Sequence, residues 1–131
     1  MDKKYLSKII ATDNDGLQMI SACCSGAEIK VSDIKYLPKS KVFLLSLKRS
    51  KVETEDDDKK VISICKFEFV DQVKSKNIKQ ADLDQKLELI GMDYLKNNDN
   101  YEINLIFTNN AYITLSTEII EVTLDDQSKF N

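Results

Sequence analysis

From residue 28 onward apolar and polar side chains alternate with a period of two, whereas Leu17, Ile20, Cys24 and Ala27 recur at helical spacing. The chain therefore reads as one short helix followed by strands. Residues 5–11 suggest a first strand. Thr12, with Asp15 three positions later, approximates a capping box, and Gly26 supplies a stop, which predicts a helix over residues 14–25.

The strand region can be tested for register, because a slip of one residue moves every side chain to the wrong face. A loop over residues 38–41 sets Tyr36 against Phe43 and Ile34 against Leu45. A loop centred on Glu55 sets Phe43 against Phe67, Leu45 against Cys65 and Arg49 against Val61. A third hairpin around residues 97–100 pairs Leu89 with Phe107, Gly91 with Leu105 and Asp93 with Ile103. In the fourth, a three-residue loop, Thr108-Asn109-Asn110, sets Leu105 against Ile113 and Ile103 against Leu115, with Asn110 in a left-handed position.

These registers gather Ile34, Tyr36, Phe43, Leu45, Leu47, Cys65, Phe67, Phe69, Leu89, Ile103, Leu105, Phe107, Ile113 and Leu115 on one face as a core. The opposite face also has apolar members, Val42, Leu44, Ile62, Ile64, Ile90, Met92 and Ile106, which calls for a cover by the helix or by a second subunit. At Ile119 and Ile120 the alternation shifts phase to Ile120, Val122 and Leu124, which predicts a bulge that bends the last strand. The expected fold is α+β: one N-terminal helix packed on a curled, mainly antiparallel sheet of about seven strands. The alternative is a closed small β-barrel of pleckstrin-like type, disfavoured because the carboxy terminus has no long amphipathic helix.

At 131 residues, 42% hydrophobic and 31% charged, the chain fits one soluble globular domain spanning residues 1–131. The amino terminus lacks the pattern of a signal peptide and no apolar run approaches a membrane span, so a cytoplasmic, non-membrane location is expected. Cys23, Cys24 and Cys65 are odd in number and lack metal or redox spacing, which suits a reducing compartment. There is no histidine, which excludes histidine-dependent triads. Residues 1–51 carry 10 basic and 5 acidic groups, and residues 52–131 carry 9 and 17. In one compact domain such halves neutralise each other.

Three segments carry a family resemblance: Ala11-Thr-Asp-Asn-Asp-Gly-Leu-Gln-Met-Ile-Ser-Ala22; Val31-Ser-Asp-Ile-Lys-Tyr-Leu-Pro-Lys39 with Leu45-Ser-Leu-Lys-Arg49; and Ile119-Ile-Glu-Val-Thr-Leu-Asp-Asp126. Together they resemble bacterial domain-of-unknown-function family 2948. Tyr-Leu-Pro-Lys and the closing Leu-Asp-Asp are the most specific parts. Members of that family often have a histidine just after the Ser-Ala pair, where this chain has Cys23. The resemblance implies no activity.

The segment 31–49 contains the chain's one proline and, at its end, its one arginine. Arg49 is in phase with Phe43, Leu45 and Leu47, and Asp93 is in phase with Leu87, Leu89 and Ile103. Two opposite charges on an apolar face must pair, reach the rim or hold a ligand. A small-anion (phosphate or carboxylate) site centred on Arg49, with Asp93 and Tyr36, is one expectation, against the plainer account of a rim arginine or a structural ion pair. The acidic patch 53–58 has oxygen ligands for a divalent cation but no EF-hand spacing, so a solvated hairpin tip is the better account and no metal is expected. Cys23 and Cys24, about 100° apart on a helix, can place at most one thiol in the core, and neither has a base to activate it. Lys30, Lys35, Lys39, Lys41, Lys48 and Lys51 crowd the first hairpin. Tyr36 and Phe43 could offer stacking faces, but both point to the core and the chain is acidic, so nucleic-acid binding is not expected. The leading expectation is a non-enzymatic cytoplasmic domain without cofactor, acting through protein contact or self-association.

Overall fold

The computed structural model describes residues 8–50 and 60–129. Residues 5–7 of the expected first strand and the acidic patch 53–58 lie outside that range. The described elements are β1 (Lys8–Ala11), α1 (Asn14–Cys24), β2 (Glu28–Lys30), a 3-10 turn (Val31–Asp33), β3 (Ile34–Leu37), β4 (Val42–Ser50), β5 (Lys60–Phe67), β6 (Val70–Lys76), β7 (Lys86–Asn97), β8 (Asn100–Phe107), β9 (Ala111–Thr117) and β10 (Val122–Lys129). The strands form one antiparallel sheet in the order β1-β10-β5-β4-β2-β7-β8-β9-β6, with β3 beside β4. The sheet is open, so the closed-barrel alternative does not hold.

Ten strands stand where about seven were expected, and two features account for most of the difference. The 3-10 turn splits the stretch 28–37 into β2, which bridges β4 and β7, and β3, which pairs with β4 alone. The second is β6, Val-Asp-Gln-Val-Lys-Ser-Lys, an edge strand whose polar composition hides it from a hydrophobic-pattern search.

The helix begins at Asn14 as expected, but its cap lies one residue after Thr12. Asp13, in extended conformation, accepts the Gly16 N–H at 2.8 Å, and Thr12 has no such role. Gly16 is required where it stands, since a Cβ there would lie 2.9 Å from both Cα and Cβ of Ala11. Gly26 ends the helix at φ +83°, as expected. Its N–H bonds to the Leu89 carbonyl and Ala27 accepts the Leu89 N–H, which clips the end of α1 to β7. That enclosure buries Cys23 and Cys24 together, contrary to the expectation of one.

The expected registers of the first two hairpins and of the fourth are observed: Tyr36 opposes Phe43, Phe43 opposes Phe67, Arg49 opposes Val61 and Leu105 opposes Ile113. Asn110 is left-handed, at φ 60°. The third hairpin differs. Leu89 opposes Phe107, but a bulge between Leu89 and Gly91 then sets Gly91 against Ile106, Met92 against Leu105, Asp93 against Asn104 and Tyr94 against Ile103. The tip, where Asn97 opposes Asn100, sets one register and the inward Leu89 sets another, and one extra residue reconciles them. Met92 thereby turns into the core, Asp93 turns outward, and Ser21 of the helix accepts the Met92 N–H at 2.8 Å.

One core cluster joins Leu17, Ile20 and Cys24 of α1 to Phe43, Leu45, Leu47, Cys65, Phe67, Leu89, Leu105, Phe107 and Leu124 of the sheet. The helix therefore contributes to the inner core. On the outer face Val42, Leu44, Ile62, Ile64 and Ile106 remain half-buried, and Ile90 is exposed. Phe69, expected in the core, is exposed at φ 60° in the turn that redirects the chain into β6. The phase shift at Ile119 and Ile120 is no bulge within a strand: β9 ends at Thr117, and β10 begins at Val122 on a different part of the sheet.

Candidate functional site

β4 and β5 run side by side with β10 against β5, and each strand turns alternate side chains inward. The inward row of β4 ends at Arg49, that of β5 contains Ser63, and that of β10 runs Val122, Leu124, Asp126. The guanidinium meets the Asp126 carboxylate at 2.9 Å, Ser63 Oγ accepts its Nε–H at 3.0 Å, and the same hydroxyl donates to Asp126 at 2.6 Å. Arg49 is 1% exposed and Asp126 6%. Charge-assisted bonds in this geometry offset the desolvation of both ions.

Arg49, Asp93 and Tyr36 are not brought together. Asp93 is exposed on β7 and accepts from the Asn104 amide at 3.0 Å. Tyr36 points inward from β3 and donates its hydroxyl to the Val70 carbonyl at 2.9 Å. Arg49's partner, Asp126, was missed as a site residue although its signal was present: it continues the phase of Ile120, Val122 and Leu124, and it is the last residue of the Leu-Asp-Asp segment.

Tyr36 marks a second place. β3 and β6 are two edges of the curled sheet, and they approach each other without a ladder between them among the described residues. At one end they are tied by the Val70 N–H to the Lys41 carbonyl and by the Tyr36 hydroxyl. Above that tie the edges part over a cavity of about 420 Å³ lined by Ile34, Tyr36, Phe43, Val73, Ser75 and Ile113, with Ile78, Gln80 and Leu83 at the rim. Phe43 and Ile113, both buried, form its floor. Gln80 donates to Ser75 Oγ at 2.9 Å, Asn77 to the Asn110 carbonyl at 2.7 Å, and Gln85 accepts from Lys79 N–H at 3.1 Å, so the loop after β6 is braced. At the tied end Lys41 reaches Asp71 at 2.9 Å and Glu118 at 3.5 Å; its hydrogen bond to Asp71, and the charge of both acids, raise its pKa above the ordinary lysine value.

A shallower groove of about 490 Å³ crosses the outer face of β1, β10 and β5, lined by Ile10, Ile64, Lys66, Glu68, Glu121 and Asp125 among others. Protonated Glu121 donates a hydrogen bond to the Glu68 carboxylate, which raises the Glu121 pKa. Cys65 lies in the core, and burial pushes its thiol well up, with the Cys24 thiol adding to the effect. Among the described residues no group of three acidic or cysteine side chains is arranged to hold a metal ion, and no helix is long and apolar enough to cross a membrane.

The fold and the seam define an α+β domain in which one helix packs on an open, antiparallel ten-stranded sheet with two edges facing across a slot. The chain belongs to the family described as "Protein of unknown function (DUF2948)", whose model matches residues 7–131. No curated protein and no solved structure matches it.

Proposed function

We propose that this chain is a non-enzymatic, cytoplasmic domain that acts through protein contact, with a second copy of itself or with another protein, and that the contact is made at the seam between β3 and β6. The observation that carries the reading is a slot with an apolar floor, flanked by two strands that each have one strand partner among the described residues and reaching Phe43 and Ile113 of the core. Unpaired strand edges are natural templates for another chain, and a slot of this volume with an apolar floor and few polar groups is suited to binding. Three buried cysteine side chains support a reducing compartment. An anion site at Arg49 has less support, because its guanidinium is already engaged by Asp126.

A photo-crosslinking residue at Ser75, which points into the seam, tests the reading in living cells. Polypeptide adducts are expected at Ser75 and not at the control position Thr114, on the outer side of neighbouring β9. Equal yields at both positions, or none at Ser75, would defeat it.

A further inference from the structure

The alternation of the two strands that flank the seam constrains what can lie between them. On β3, Ile34 and Tyr36 face the slot while Lys35, opposite outward Leu44, points to the outer surface. On β6, Val73 and Ser75 face the slot, opposite Leu115 and Ile113, while Lys74 and Lys76 point outward. Lys35, Lys74 and Lys76 are exposed. A strand laid between the two edges must follow the same two-residue period, with inward side chains meeting Tyr36, Val73, Phe43 and Ile113 and outward ones lying beside lysines from both flanks. Cross-strand neighbours of opposite charge are favourable, and like charges directly opposite are unfavourable.

We infer that the seam is filled by an extended segment of a partner protein that alternates apolar and acidic side chains and joins the edges of β3 and β6 as an added strand. This rests on the seam being the contact site. The tie between Val70 and Lys41 marks one end of the slot, and the braced loop carrying Ile78 and Leu83 borders the other. Addition of a strand to an exposed edge draws affinity from main-chain hydrogen bonds and specificity from alternate side chains, and here the specificity is set by an apolar slot and a basic outer rim.

The test uses the whole chain and three short synthetic peptides: valine alternating with glutamate, valine alternating with lysine, and valine and glutamate in two blocks. Fluorescence anisotropy is expected to show the alternating glutamate peptide binding at least about tenfold more tightly than either of the others, a difference of about 1.4 kcal/mol. Amide hydrogen exchange is expected to slow on β3 and β6 when it binds. The double variant Lys35→Glu with Lys74→Glu, at exposed positions, is expected to reverse the preference toward the lysine peptide, with circular dichroism confirming the fold. Equal affinity for all three peptides, no binding, or binding without slowed exchange on β3 and β6 would overturn the inference. So would a homodimer broken by Ser75→Trp and unaffected by the glutamate peptide. Polypeptide crosslinks at Ser75 alongside failed peptide binding would overturn the acidic strand and leave the contact site standing; an absence of such crosslinks would remove both.

Discussion

Arg49 and Asp126 are 77 positions apart in the chain and meet at 2.9 Å with both side chains withdrawn from water. Ser63, from the strand between theirs, bonds to each. Three strands are thus joined at one polar point on a mainly apolar inner face.

Removing one partner leaves the other charge buried. Arg49→Ala is expected to destabilise the fold by about 3–5 kcal/mol, whereas the joint change Arg49→Met with Asp126→Leu is expected to recover most of that loss. Urea denaturation of the two variants checks this, and equal losses for both would refute it.

Gly16 and Gly26 are both needed, for different reasons. Gly16→Ala presses a Cβ onto Ala11 at 2.9 Å, and a shift of the helix start is expected at about 1–3 kcal/mol. Gly26→Ala meets no atom within 4 Å, but its φ of +83° is unfavourable to an L-residue by about 1–2 kcal/mol. Asn at position 26 tolerates that backbone, so thermal melts should rank Gly26→Asn above Gly26→Ala.

The buried Cys65 thiol holds its proton more tightly in the native state than the ordinary value of 9.0. Below that value both native and unfolded chains keep the proton and stability is flat with respect to this group. As pH rises past it, the unfolded chain releases the proton first, so stability falls with increasing pH until the native thiol titrates. Denaturation midpoints measured between neutral pH and about pH 10 should decline in the wild type and decline less in Cys65→Ala.

Glu121 holds its proton above the ordinary carboxylate value of 4.5 because the Glu68 carboxyl shares a hydrogen bond with it. The stabilisation from this group is therefore present below the unfolded value and is lost as pH rises through the native one. At neutral pH the two charged acids repel, so Glu121→Gln should raise the melting temperature, and the gain should vanish in acid. A gain that persists in acid would assign the effect to something other than charge.

Most of the sheet was legible because its hairpins obey local rules. Period-two alternation and loop length together set Tyr36 against Phe43, Phe43 against Phe67 and Leu105 against Ile113, since any slip would turn the core outward. The inward placement of Arg49 followed from the same phase. The reading failed where that phase is interrupted: the extra residue at Ile90 cannot be seen in a run that stays apolar on both sides of it, and Asp93 was carried inward by an alternation that the bulge had already reversed.

The sequence by itself determined the helix, its glycine stop, the registers of the first, second and fourth hairpins and the family to which the chain belongs. The tertiary structure alone decided that β10 lies against β5, so that Asp126 meets Arg49, and that the free edges of β3 and β6 face each other across a slot. Hairpin register is set by neighbours along the chain. Which distant strands become neighbours depends on how the whole sheet curls around its core, a property of all the side chains at once and of no local pattern.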